Sequence, residues 1–290
     1  MLKVEKDGKY GFIDKSNNVV IPIINDEVRV GYYKNACVVK RNGKYGCYDL
    51  NGTEVIPCKY DDVSASSNFI YVRMNDKCGV FNLLGKMIIL IEYDIIEEPK
   101  GGLFMVKLYG EKKYVSITGK EYDAADINYS SFSIVKKNNK YGYVNDEGIE
   151  VIPLIYDDAK VFVNKLAFVK KDGKYLIIDE TGKVRRTTSY IEVNYDCLNY
   201  LFCVKNDMSK WGYINFEGQE IISCRYDFAD SFYYELACVQ LNSKFGFIDK
   251  YGNMAIPCKY DYAGNFRDGY AKVTLNGEEI IIDKKGNRVK

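Results

Sequence analysis

Histidine is missing altogether from this 290-residue chain. With it go the commonest general base and the commonest metal ligand, so Ser-His-Asp, Cys-His and His-metal chemistries are excluded. Net charge is nearly missing too, at +1, since 41 Lys and Arg stand against 40 Asp and Glu. No global field is left to hold nucleic acid or an anionic membrane surface. Apolar residues nowhere run long enough to span a bilayer. The opening residues, MLKVEKDGKYGFID, contain neither an apolar h-region nor a small-residue cleavage site. The expectation is a cytoplasmic protein with no membrane association. Proline numbers only 5, and four of these stand in one recurring dipeptide: Ile21-Pro22, Ile56-Pro57, Ile152-Pro153 and Ile256-Pro257.

Cysteine is present but unpaired in pattern. The nine residues Cys37, Cys47, Cys58, Cys78, Cys197, Cys203, Cys224, Cys238 and Cys258 are odd in number and form no CxxC. Most replace small or apolar residues, as in ACVV, ACVQ and IPCKYD, so they read as buried hydrophobes in a reducing compartment. A composition 47% hydrophobic and 28% charged places the chain among folded globular proteins.

The same six-letter phrase opens and closes the chain, KYGFID at residues 9–14 and KFGFID at 244–249. Aligned on the residue before the glycine, the units fall at Tyr10, Tyr45, Cys78, Tyr114, Tyr141, Tyr175, Trp211, Phe245 and Glu279. The spacings are 35, 33, 36, 27, 34, 36, 34 and 34 residues, which makes nine units spanning residues 1–290 as a single array.

Each unit begins with an alternating segment ending on a recurrent Val (Val4, Val39, Val72, Val135, Val169, Val239, Val273). An NG, DG or NS pair and the aromatic-glycine segment follow. That order predicts strand, tight turn, strand. In KYGFID, Tyr10 and Phe12 share one face and Gly11 and Ile13 the other, as in a sheet packed on both sides. Glycine inside a strand requires a bulge or a close approach. The pairs Tyr10-Gly11, Tyr45-Gly46, Tyr141-Gly142, Trp211-Gly212 and Phe245-Gly246 are therefore expected to be joints between units, with Trp211 buried.

A second turn (DLNG, NDEG, DKYGN) leads to a third strand, which Ile-Pro is expected to end. The Tyr-Asp connector that follows reads as a turn whose tyrosine packs with a wet hydroxyl. Its carboxylates are too few for a calcium loop.

These features together resemble the WG-repeat proteins, bacterial tandem arrays whose unit runs Gly-Lys-Trp-Gly-Phe-Ile-Asp, a glycine turn, Val-Ile-Pro and Tyr-Asp. SKWGYINFEGQEII at 209–222 is the nearest match, and the likeness covers essentially the whole chain. It implies an all-β array and a noncatalytic interaction role, with no active site to carry over. The fold expected is an all-β stack of ~34-residue antiparallel hairpin or meander repeats, open or superhelical, with a closed β-propeller as the alternative. A propeller would need the connector to supply a fourth strand. The fourth unit has Val115 for glycine and no Ile-Pro, the sixth has Leu176 and VRRTTSYIEV, and the last unit is charged like an end cap.

The function expected is a noncatalytic scaffold for a protein partner, needing no cofactor or metal. A glycan-binding module, suggested by 27 Tyr, is one alternative. Nucleic-acid contact is another, through the candidate partner-binding residues Lys136, Lys137, Arg185 and Arg186 together with Lys170-Lys171. The lysine before the aromatic (Lys9, Lys44, Lys77, Lys113, Lys140, Lys174, Lys210, Lys244) recurs as a ladder, read chiefly as protection of exposed strand edges. An enzyme working by carboxylates alone is disfavoured, because the acidic residues that stand out recur unit after unit while a catalytic pair would occur once.

Overall fold

The computed structural model describes residues 1–31, 35–127, 131–194 and 201–289, so Cys197 lies outside the described residues. Among the described residues all the regular structure is β, in nine small antiparallel sheets whose strands follow in chain order, and none of the sheets closes on itself. Seven sheets have four strands, and the first and last have three. The chain divides into two compact units, Met1–Asn138 with Val144–Ile149, and Asn139–Tyr143 with Glu150–Lys290.

The second sheet shows the pattern, with strands Glu27–Val30, Cys37–Arg41, Lys44–Tyr48 and Glu54–Tyr60. Its first strand comes from the connector after Asn25-Asp26, which stand where later units have Tyr-Asp, a strand the side-chain pattern did not announce. The central hairpin is the one foreseen: Arg41 pairs with Lys44 across Asn42 and Gly43, both at positive φ (51° and 80°). Two positive φ values in a two-residue loop define the type I′ turn, whose twist matches that of the flanking strands. The recurrent valine stands directly opposite the recurrent glycine, as in Val39↔Gly46 and Val239↔Gly246.

Proline does not end the fourth strand, which runs on through Pro57 to Tyr60. The register shifts twice here, from Tyr45↔Tyr60 to Cys47↔Ile56 to Tyr48↔Glu54, leaving extra residues on the proline-bearing side. A bulge frees one residue from the ladder, so a residue without an N–H is tolerated there. The same bulge explains the glycine. A Cβ on Gly46 would lie 2.6 Å from the Ile56 carbonyl oxygen and 2.8 Å from the Cys58 nitrogen, and one on Gly246 would meet Ile256 and Cys258 likewise. The glycine therefore closes against the bulge of its own sheet.

The backbone approach between sheets is made by the glycine of the second turn. A Cβ on Gly52 would fall 2.2 Å from the Val20 carbonyl oxygen of the preceding sheet, and one on Gly85 would fall 2.6 Å from that of Val55.

Cores lie between successive sheets. Val38, Cys47, Ile56 and Tyr60 of the second pack on Val63, Ile70, Val72 and Phe81 of the third. In the second compact unit, Cys238, Phe247, Ile256 and Tyr260 pack on Ala263, Ala271, Val273 and Ile280. The connector tyrosines are buried rather than wet: Tyr60, Tyr93, Tyr122, Tyr156, Tyr226 and Tyr260 all lie in the core. Cys37, Cys47, Cys203 and Cys238 are buried as small apolar groups, and burial pushes the Cys47 and Cys238 thiols up to about 12.

Gly46→Ala is expected to destabilise the protein by about 1–3 kcal/mol, the usual cost of forcing an extra methyl into packed surroundings. The comparison is Gly264→Ala, whose added methyl would meet nothing nearer than the Lys272 carbonyl oxygen at 3.5 Å. That variant should stay within about 0.5 kcal/mol of wild type. Equal shifts of the two urea midpoints would refute the bulge account.

Candidate functional site

The lysine ladder is committed inside the protein. Lys9, Lys44, Lys77 and Lys140 each donate to the connector aspartate 17 residues on, namely Asp26, Asp61, Asp94 and Asp157, at 2.5 Å. Lys210–Asp227 and Lys244–Asp261 repeat the pair. The second oxygen of each aspartate accepts a backbone N–H from the hairpin turn of the following sheet, from Asn42 and Asn75 at 2.7 Å and from Asn242 at 2.9 Å. One carboxylate thus ties the lysine of one sheet to the turn of the next, a joint where edge protection was expected. The lysine hydrogen bond holds these six carboxyls below the ordinary carboxylate range.

Both departing units lose this tie. Asp123 keeps the turn amide of Asn138 at 2.8 Å but has no lysine partner among the described residues. At the sixth sheet the residue 17 on from Lys174 is Ile191. At the junction that follows, Phe168 packs on Phe202 at 4.9 Å and Phe202 on Phe216 at 4.8 Å, much as Phe69 packs on Phe104 at 5.0 Å where the tie is kept.

The motif aromatics Tyr10, Tyr45, Tyr141, Trp211 and Phe245 are all half-buried, and their glycines Gly11, Gly46, Gly142, Gly212 and Gly246 are buried. Trp211 is thus less covered than expected. It packs at the margin of the core between the seventh and eighth sheets, with the Lys205 ammonium 5.4 Å from its ring centre.

The basic candidates fall in separate compact units. Lys136 and Lys137 end the strand Phe132–Lys137 in the first, whereas Arg185 and Arg186 lie on the exposed strand Val184–Thr187 in the second. Arg185 pairs with Asp179 at 2.7 Å, Arg186 donates to the Gly218 carbonyl at 3.2 Å, and Lys170 donates to the Ile191 carbonyl at 3.1 Å. Arg185 also borders a cavity of about 510 Å³ floored by Leu166 and Ile177.

A larger groove, about 690 Å³, runs between the eighth and ninth sheets. Three rings line it, with Phe245 6.1 Å from Phe228 and 6.0 Å from Tyr262 between centroids. Phe228 is 39% exposed and Tyr262 58%. Asp230, Asn265 and Arg267 supply polar groups at its rim.

The equivalent grooves in the first compact unit differ. Between the second and third sheets, Arg29 lies 5.8 Å from the Tyr45 ring centre and donates to the Val63 carbonyl at 3.1 Å. Between the third and fourth, a cavity of about 270 Å³ carries Asp62, Ser64, Arg73 and Glu98.

Phe228 and Tyr262 escaped the sequence reading because they stand in the connector strand. The available signal was the residue following each connector aspartate, which is Glu27, Asp62, Ile95, Ala124 and Asp158 in earlier units and aromatic only at these two Tyr-Asp sites. Among the described residues, no cluster of three or more Cys, Asp or Glu is placed to hold a metal.

A family model described as a WG containing repeat matches residues 10–45, 45–78, 79–112, 117–141, 141–175, 211–245 and 245–278. The longest stretch it passes over within the array holds Leu176 and the strand Val184–Thr187. No curated protein matches the chain. Among solved structures, a eukaryotic initiation factor is similar at 9% identity and TM-score 0.41, over 99% of this chain and 94% of that one. Apo AztD from Citrobacter koseri is similar at 10% identity and TM-score 0.37, over 98% and 91%. Scores this low do not establish a shared fold.

Trp211→Ala is expected to cost about 2 kcal/mol, below the roughly 3–5 kcal/mol of a fully buried ring. A urea series on the variant measures it, and a cost at the upper value would mean that the ring is buried in solution.

The six tied aspartates set an acid limit. Their folded-state values lie below the unfolded carboxylate value of about 3.9, so their contribution is full above that pH and is lost as the pH falls through the folded values. The urea midpoint should hold from neutrality to about pH 5 and drop below about pH 4. Asp61→Asn should flatten part of that drop, and an unchanged profile would dismiss the tie.

Proposed function

The chain belongs to the WG containing repeat family, and from that premise we propose that it is a noncatalytic cytoplasmic scaffold that binds another protein without a cofactor. The observation that carries this reading is the aromatic groove of the eighth and ninth sheets. Most of the charge that recurs along the array is spent internally in lysine–aspartate ties. Phe228 and Tyr262, by contrast, keep exposed faces in a concave site. Aromatic residues and arginine are what the buried centres of protein interfaces accumulate, while lysine and glutamate are depleted there. A stacked array holds such a groove on rigid sheets, so little order has to be imposed on binding.

The noncatalytic part of the reading is supported by the lack of histidine and by the acidic residues themselves. Those that recur are engaged as inter-sheet ties or as turn caps, such as Asp49 and Asp249, each accepting two backbone N–H groups. The internal partners of Lys170, Arg185 and Arg186 weigh against a free basic stripe for nucleic acid.

The test is a quantitative pull-down with the tagged full chain, at moderate salt, with and without nuclease, beside a Phe228→Ser/Tyr262→Ser variant. A nuclease-resistant protein recovered near one-to-one by wild type, and reduced about tenfold or more by the variant, is the expected result. Recovery of no protein, or only of nuclease-sensitive material, would sink the scaffold reading.

A further inference from the structure

We propose that the groove between the eighth and ninth sheets takes an extended peptide segment of the partner, with apolar side chains at alternate positions and an acidic residue just beyond them. This rests on the scaffold reading and adds the chemistry of the occupant. The rings set the spacing. Phe245 stands 6.1 Å from Phe228 and 6.0 Å from Tyr262. In an extended chain, side chains on one side recur every two residues, about 6.6–6.8 Å apart. Alternate apolar side chains therefore meet successive rings with little adjustment. The volume of about 690 Å³ suits a short segment, and the small residues Ala263 and Gly264 on the lining leave room for its backbone. A Cβ on Gly264 would meet only one atom within 4 Å.

Charge sets the chemistry beyond the rings. Arg267 lines the groove, is exposed, and has no ion-pair partner among the described residues. Lys272 pairs with Glu279 at 2.7 Å, with both side chains more than 60% exposed, and an exposed pair of this kind is readily exchanged. The acidic group of the groove, Asp230, is already occupied, accepting from Asn265 Nδ2 at 2.8 Å and from the Ser231 N–H at 2.7 Å. Both Asp230 oxygens thus already accept, whereas the Arg267 guanidinium has donors to offer, and a carboxylate on the incoming segment takes them in a charge-assisted hydrogen bond. A neutral sugar chain would offer Arg267 only uncharged acceptors, which make the weaker bond. At the junctions of the second with the third and the third with the fourth sheet, the position of Phe228 and Tyr262 is taken by Glu27, Asp62 and Ile95, so neither offers the same three rings.

A phage-displayed random dodecamer library, selected on the immobilised full chain, tests this whatever the identity of the partner. Wild type should enrich sequences with alternating apolar residues followed by Asp or Glu. Arg267→Glu should shift that position to Lys or Arg and weaken a synthetic wild-type-selected peptide about tenfold. Phe228→Ser/Tyr262→Ser should abolish enrichment. Circular dichroism melts verify that each variant is folded, and Arg267→Glu, at an exposed position, decides the matter alone if the double variant unfolds.

Enrichment indifferent to Arg267→Glu, or equal on the double variant, would overturn the proposal. So would binding of a neutral glucose hexasaccharide that the double variant loses, because the groove would then belong to a glycan. A pull-down partner retained by every groove variant would leave the scaffold standing and remove only this site.

Discussion

A single carboxylate, placed at the corner where one sheet hands over to the next, orders most of the array. Its reach is short, which is why the position is aspartate: one oxygen meets a lysine from the sheet behind and the other meets a turn amide from the sheet ahead. Its own backbone N–H enters the next ladder as well, as when Asp61 donates to Arg73. Half-exposed, such a pair contributes modestly in isolation. Repetition gives it weight, because the same geometry fixes the step between neighbours wherever it occurs, and the buried tyrosine beside it sets the depth to which that step is packed.

Period, strand content and hairpin turns were legible because they are written in side chains that alternate and in turn residues that permit positive φ. The fourth strand was not. Glu27–Val30 and its counterparts are held by backbone hydrogen bonds and vary in side chain from unit to unit, so a reading built on alternation passes over them. Proline misled for a related reason: Pro57 looks like a stop, but the register shift beside it accommodates the missing donor. The lysine–aspartate tie spans 17 residues and becomes visible only when the register of two strands is known. The aromatic groove was hidden in the connector, the segment whose fold the sequence pattern left unassigned.

The two departing units break the pattern in different ways. Glycine and Ile-Pro vanish together in the fourth, where Tyr114↔Tyr122 and Val115↔Glu121 pair without a shift. Without a bulge to fold over it, the position no longer needs a bare backbone, and valine fills it. In the sixth, Leu176 pairs with Thr187, and Thr188 and Tyr190 instead hydrogen-bond back to Tyr175. The following junction, lacking the aspartate, keeps the aromatic packing of Phe168 on Phe202.

The offset between sequence unit and sheet bears on cooperativity. Because the first strand of each four-stranded sheet is contributed by the connector that follows the previous sheet, no sheet of this kind can come apart without also tugging at its neighbour. Local melting is therefore shared across each boundary, and mechanical load on one sheet is passed to the next by the chain itself. A deletion that respects the sequence repeat removes parts of two sheets and rejoins their remainders into one whole sheet. The array can thus change length in steps of one repeat while every interior sheet keeps four strands.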